Sequence, residues 1–175
     1  MTPTSLRPAS RPRLLVVSPN RSHLALLARR LGAEGYSIVT AADGGAALGE
    51  LHRSPIDLVL AELVMEPMSG PELTRAIREH SGFAEVPVML IASRAEADPA
   101  VRAFAAGAED VILKPFHFEV LVARIERRRA AAAQVAAMRA DMEAMDARAA
   151  MKAIELGELK DRMYALEAER RRVSA

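Results

Sequence analysis

Two side chains in this sequence can do chemistry together. Glu62 follows the apolar run Ile56 to Leu60 and precedes Pro67, Met68, Ser69 and Gly70. A short apolar run of that kind suits a buried parallel strand, and Pro and Gly then turn it into a loop. Glu62 is therefore expected at the carboxyl end of a strand, where open α/β sheets keep their ligands. Lys114 closes a second such run, Val111-Ile112-Leu113, and Ser18-Pro19-Asn20 closes a third, Leu14-Leu15-Val16-Val17. A carboxylate and an ammonium brought to neighbouring strand ends can form a charge-assisted pair, strongest where it is half buried.

The elements that would position them alternate strictly. After the first strand, Leu24, Leu27 and Leu31 recur at helical spacing until Gly35. Tyr36 to Thr40 is a second strand, and Asp43-Gly44-Gly45 turns into a helix carrying Ala46, Ala47, Leu48 and Leu51. The strand ending at Glu62 is third. A helix from about Gly70 to His80 turns Leu73 and Ile77 inward. Val86 to Ala92 is a fourth strand, with Pro87 near its start, where a missing N–H is tolerated. A helix from about Pro99 to Ala106 stops at Gly107. Val111 to Leu113 is the fifth strand, and a last helix begins near His117. Five βα units with right-handed crossovers imply an α/β fold, a doubly wound five-stranded parallel sheet followed by a long C-terminal helix. Its crevice lies at the carboxyl ends of strands one, three and five, which places residues 18–20, 62 and 114 there.

Asp57-Leu58-Val59-Leu60-Ala61-Glu62 with Met65, Met68, Ser69 and Gly70 resembles the phosphoacceptor segment of bacterial response-regulator receiver domains, a flavodoxin-like family. Ala42-Asp43-Gly44 with Ala47-Leu48, Ala106-Gly107-Ala108-Glu109-Asp110 and Lys114-Pro115-Phe116 match further motifs of that family, in order and at its spacing. The resemblance covers about residues 13–129. It implies that the acceptor aspartate is replaced by Glu62, one methylene longer (roughly 1.3–1.5 Å of added reach). The acidic pair that holds Mg²⁺ in the family is replaced by Ser18 and Pro19. Mg²⁺ wants near-octahedral oxygen ligands, usually including carboxylates. The hydroxyl at the end of strand four is replaced by Ala92, and Ser93, one residue on, should point to the other face. The switch aromatic on strand five is Val111. Of the working set Lys114 remains. Phosphoryl transfer depends on positioning and charge neutralisation, so these changes imply a pseudo-receiver without phosphotransfer. Either Glu62 pairs with Lys114 and imitates the phosphorylated state, or Glu62 is a tolerated polar residue on an inert face.

From His117 onward no Pro follows, and the only Gly is Gly157. Arg127-Arg128-Arg129 leads into four alanines, strong helix formers. A heptad then runs with Val135, Met142, Ala149, Leu156, Met163 and Arg170 at a, and Met138, Met145, Lys152, Leu159, Leu166 and Val173 at d. Nine of these twelve are apolar, and the 3–4 spacing never slips. The expected seam is Val135, Met138, Met142, Met145, Leu156, Leu159, Met163, Leu166 and Val173, on a rod of roughly 58 Å. So narrow a stripe needs a partner helix. In a parallel pair Glu155 would face Lys160 and Arg162 would face Glu167, while Asp141 would face Asp146 unfavourably. Ala149, Lys152 and Gly157 weaken the middle, and the Met-rich first half can re-pack on different partners. The other reading of the tail is a helical hairpin.

Composition excludes several classes. Net charge is +1 and there is no Cys, so neither a global field for nucleic acid or membrane nor disulfide chemistry is indicated. No apolar run approaches the roughly 20 residues of a membrane span. Residues 1–12, with Pro3, Pro8 and Pro12 among arginines, read as a disordered arm or a basic contact arm, not a secretion signal. His23, His52, His80 and His117 share no metal-ligand spacing and read as surface or packing residues. No P-loop, helix-turn-helix, nucleophile elbow or zinc pattern is found. The expected organisation is an arm at 1–12, a receiver-like domain at 13–129 and a helical coiled-coil tail at 130–175. The expected protein is non-enzymatic and cytoplasmic, without catalytic residues, cofactor or metal. It would act as a signalling adaptor in or near a two-component phosphorelay. Its partners would be a second copy through the tail or a helical protein, together with signalling proteins. The alternatives are a phosphorylatable regulator using Glu62 or another acceptor, and an allosteric ligand-binding receiver.

Overall fold

The computed structural model describes residues 11–173 of the chain. The expected arm lies outside the described residues except for its last two positions. Elements follow in the order β1 (Arg13–Val17), α1 (Arg21–Ala33), β2 (Ser37–Ala41), α2 (Gly44–Arg53), β3 (Leu58–Glu62), α3 (Gly70–Glu79), β4 (Val88–Ser93), α4 (Pro99–Ala105), β5 (Asp110–Lys114) and α5 (Phe118–Val173). The five strands form one parallel sheet in the order β2-β1-β3-β4-β5. The sequence reverses direction of growth at β1, so the crevice opens above β1 and β3, next to β5's end.

Period-two alternation sends each strand's side chains to two cores. Leu15, Val17, Val59, Ala61, Leu90 and Ala92 face Ala47 and Leu51 of α2, Leu73 and Ile77 of α3, and Ala103 of α4. Leu14, Val16, Leu58, Leu60, Met89 and Ile91 face Leu27 and Leu31 of α1 and Leu121 and Ile125 of α5. A strand buried on both faces reads as a continuous apolar run, which is why these strands were visible in the sequence.

Several boundaries differ from expectation. Tyr36 precedes β2; its ring is buried and its hydroxyl donates to Glu126 on α5. Ile56 packs into the core ahead of β3 without joining the ladder. Pro87 lies just before β4, and its carbonyl accepts from Val59 N at 2.9 Å. In each case the residue is buried as a strand residue would be but lies outside the strand.

The helix ends follow local chemistry. Ser69 and Glu72 form a reciprocal capping box at the start of α3. The Ser69 hydroxyl and N–H both donate to the Glu72 carboxylate and hold it below its usual acidity range. Arg78 on α3 donates to the carbonyls of Ala84, Val86 and Gly107 and to both oxygens of Glu109, at 2.7 to 3.0 Å. The start of α5 is held by Arg124 and Arg128, which reach the buried carboxylate of Asp110 at 2.8 and 3.3 Å, and by Arg30, 3.9 Å over the Phe118 ring.

The chain divides into two compact units between Ala132 and Ala133. In the second, α5 continues unbroken to Val173, through Gly157. A hairpin would need a turn, so the hairpin reading is corrected: the tail is one helix. No helix among the described residues is long and apolar enough to cross a membrane.

Candidate functional site at the strand ends

The crevice is built from three strand ends and one helix start. β1 stops at Val17, and Ser18 follows with its N–H donating to Ala41 O at 3.1 Å. The Ser18 hydroxyl is buried and accepts from Asn20 N at 3.2 Å. Asn20 then caps α1, its side-chain oxygen accepting from His23 N at 3.0 Å. Pro19 brings no donor or acceptor side chain. This tight sequence of strand end, turn and cap lays the first turn of α1 beside the end of β3.

Glu62 is the last residue of β3, and its side chain is only 13% exposed. Alternation aims it away from the core that holds Ala61 and Leu63. Lys114, at the end of β5, sends Nζ to within 2.7 Å of Oε1 and 2.9 Å of Oε2. From the other side, His23 Nδ1 lies 2.6 Å from Oε1. The imidazole nitrogen thus sits directly against the carboxylate. The carboxylate thus has an ammonium on one side and an imidazole on the other. Gly70 closes the floor. Its N–H donates to Leu63 O at 2.9 Å, and a Cβ there would run into the Glu62 carbonyl and come within 3.0 Å of Leu63 Cα. Only glycine permits α3 to start this close to the end of β3.

The remaining positions of the expected site are apolar or turned elsewhere. Ala92 is fully buried among the α2–α4 side of the core and offers no hydroxyl to the crevice. Ser93 pairs in register with Lys114, and its hydroxyl accepts from Ala95 N at 3.2 Å. Val111 packs in the same core as Ala92. Its carbonyl accepts from Arg124 at 3.0 Å. Val111 therefore has neither a hydroxyl nor an aromatic ring to swing.

Sequence reasoning brought Glu62 and Lys114 to one place and missed His23, which was read only as a surface or packing residue. The available signal was its position three residues after a capping Asn20, on the first turn of the helix that leaves β1. Mg²⁺ does not fit this donor set. Ser18 is neutral and already hydrogen-bonded, Pro19 has no ligand atom, and both oxygens of Glu62 meet Lys114. Among the described residues no group of three or more His, Cys, Asp or Glu could hold a metal ion.

The expected seam belongs to the second unit. Val135, Met138, Met142, Met145, Leu156, Leu159, Met163 and Leu166 are all exposed on α5. Val173 ends the helix, and its side chain lies outside the described residues.

Comparison with known proteins matches residues 14–126 to the response regulator receiver domain. Transcriptional regulatory protein PrrA of Mycobacterium leprae (strain TN) is 35% identical over 127 residues, covering 71% of this chain and 54% of that protein. Sensor histidine kinase TmoS of Ectopseudomonas mendocina is 31% identical over 117 residues, 67% of this chain and 12% of that one. This chain spans about half the length of the PrrA relatives it matches. Among solved structures, a putative response regulator from Chloroflexus aurantiacus J-10-fl superposes with a TM-score of 0.66 at 25% identity, covering 69% of this chain and 98% of that one. Chemotaxis response regulator CheY4 of Vibrio cholerae gives 0.63 at 26% identity, covering 67% and 98%. The order of strands, the Lys114-Pro115-Phe116 end of β5 and these matches agree: the chain belongs to the response regulator receiver domain family.

Proposed function

We propose that this chain is a phosphorylation-independent receiver, a non-enzymatic adaptor in or near a two-component pathway, which works by contact with other signalling proteins. The observation that carries the reading is the engagement of Glu62. Its two oxygens lie 2.7 and 2.9 Å from Lys114 Nζ, in a crevice with Ser18 and Pro19 where the family keeps an acidic pair. A carboxylate paired with an ammonium is a poor nucleophile, and Ser18 and Pro19 supply no carboxylate to hold a divalent cation against the charge of an incoming phosphoryl group. The same pair supports the mimic over the inert version. The extra methylene of Glu62 carries its negative charge toward the Lys114 ammonium, which is where a phosphoryl oxygen would need a cation. The face would then be held in one state, with no relay hydroxyl at Ala92 and no ring at Val111.

The tail supports the second half of the proposal. An exposed a/d stripe from Val135 to Leu166 cannot be buried by its own helix, and charge favours a parallel homodimer through its C-terminal half. A helical protein of another kind is the other partner that such a stripe would accept.

The test is incubation of the full chain with a small acyl-phosphate donor and Mg²⁺, followed by intact mass. An unchanged mass is expected, and a stoichiometric phosphoryl adduct would overturn the reading. Glu62→Gln should alter capture of the signalling partner; unaltered capture would leave the inert version standing. Light scattering of the full chain at micromolar concentration should give a dimer, and a monomer would contradict the tail's assigned part.

A further inference from the structure

The a/d seam uses one side of the tail. A second apolar row lies nearly opposite. Ala137, Ala140, Ala144, Ala147, Met151 and Ile154 follow one another at an unbroken 3–4 spacing on a continuous helix. At 3.6 residues per turn, the centre of this row lies about 160° around the helix from the centre of the first seam. All six residues are exposed, Met151 at 65% and Ile154 at 64%. The row ends there, since Glu158 and Asp161 take its next two positions. A solvated helix face has no need of methionine and isoleucine at these two places, and the first seam does not use them.

We propose that this row is a self-association face, and that its occupant is the same segment of a second copy, running antiparallel with Ala144 opposite Ala147 of that copy. Volume selects the orientation and charge selects the register. Antiparallel in this register, Ile154 falls opposite Ala137 and Met151 opposite Ala140, so each large side chain meets a small one and the helix spacing stays even. Parallel pairing in register would stack Ile154 on Ile154 and alanine on alanine, which demand different spacings along one straight pair.

The proposed register sets Asp141 beside Arg148 of the second copy, and two-fold symmetry makes that contact twice. A slip of one heptad one way sets Asp141 against Asp141 and Glu143 against Glu143. A slip the other way sets Arg148 against Arg148 and Asp141 against Glu155. One register is attractive and its neighbours are repulsive, which is how flanking charges choose a partner. In the first seam the same stretch carries the unfavourable Asp141–Asp146 contact, so residues 137–154 fit the second face better than the first. The two faces point in opposite directions. Used together they join dimers into a larger assembly and do not close on themselves.

The chain contains no Cys, so single introduced cysteines report pairing without background. Full-length A144C and A147C proteins are mixed and oxidised gently. The heterodisulfide should exceed each homodisulfide by about fivefold or more, against about twofold for random encounter, because only the opposed pair meets disulfide geometry. A random ratio, or an excess of homodisulfides, would overturn the proposal. Light scattering gives the second arm. The unmodified chain should exceed a dimer's mass as concentration rises, and M151E/I154E should remove that rise. An unchanged rise in that variant would overturn it. R148D and D141R should each weaken the larger assembly about fivefold, and the exchange D141R/R148D should restore it. The L159K/L166K variant disables only the first seam, so survival of the A144C–A147C preference in that background separates this proposal from the dimer reading.

Discussion

The crevice and the tail dispose of their reactive groups in opposite ways. Around Glu62 each charge is answered from within the chain. Lys114 and His23 flank the carboxylate, Arg78 is spent on Glu109 and three carbonyls, and Arg124 and Arg128 converge on Asp110. On the helix after Ala132 the large apolar side chains are answered by nothing in their own unit. A sheet layered with helices can silence a site internally because elements surround it on several sides. A helix taken by itself has no second surface, so under the proposed reading its apolar stripe is completed by another molecule. The contrast is what the proposed function rests on: contact through the helix and not chemistry at the strand ends.

The sharpest way to break this comparison is to charge the tail. Leu159→Lys with Leu166→Lys puts four ammonium groups into the d layers of a parallel pair. Association should weaken by about 4 kcal/mol or more, from lost burial of four leucines and from like-charge repulsion. Sedimentation equilibrium would then show the parallel pair lost and only association through the second face left, while the urea midpoint of the first unit stays where it was. A shifted midpoint would mean that the two regions are not energetically separate.

The converse change is Arg78→Met. It leaves three carbonyls and the Glu109 carboxylate short of a donor at the junction of α3, β4 and β5. The carboxylate also accepts from Val88 N at 2.6 Å, so part of its charge remains satisfied. A loss of about 3 kcal/mol in urea unfolding is expected, with oligomeric state unchanged at concentrations where the chain remains folded.

These two residues sit differently with respect to what the sequence reveals. The seam was legible because a heptad is a local pattern, as were the strands, whose apolar runs are contiguous. Glu62 and Lys114 were legible because each ends such a run and topology brings those ends together. Arg78 was not. Its partners lie six to thirty-one residues away, in turns whose geometry no local rule specifies. His23 was hidden for a related reason: its direction depends on how the Asn20 cap orients the first turn of α1. Ala92 and Val111 could be read as losses, but only the packed structure shows both facing the α2–α4 core with their backbone groups otherwise engaged.

Glu62→Gln sharpens the comparison at the crevice. The amide keeps the volume and one acceptor for Lys114 but removes the charge that both neighbours face. Lys114 is 39% exposed, so solvent screens much of the pair. Unfolding stability should fall by about 1–2 kcal/mol. High salt should narrow the gap between the two proteins. A gap that widened with salt would show that Glu62 is held by something other than its ion pair with Lys114.

The smallest effect expected is at Tyr36, where the first unit grips α5. The buried hydroxyl donates to the Glu126 carboxylate, which also meets Arg129 at 3.1 Å. Burial, and then the neighbouring negative charge, push the phenol well above its ordinary value near 10. A folded-state value above the unfolded one means that the folded chain holds this proton more tightly. Its contribution to stability is present in full below about pH 10 and is lost as pH rises toward the folded value. Tyr36→Phe should therefore cost about 1 kcal/mol at neutral pH. Above pH 10 the unmodified chain should lose stability faster than the variant, because only it has this proton to lose. Every other group is common to both proteins, so the difference between the two denaturation profiles isolates Tyr36. Converging profiles above pH 10 are the expected result; parallel ones would mean that the hydroxyl of Tyr36 does not hold α5 to the sheet.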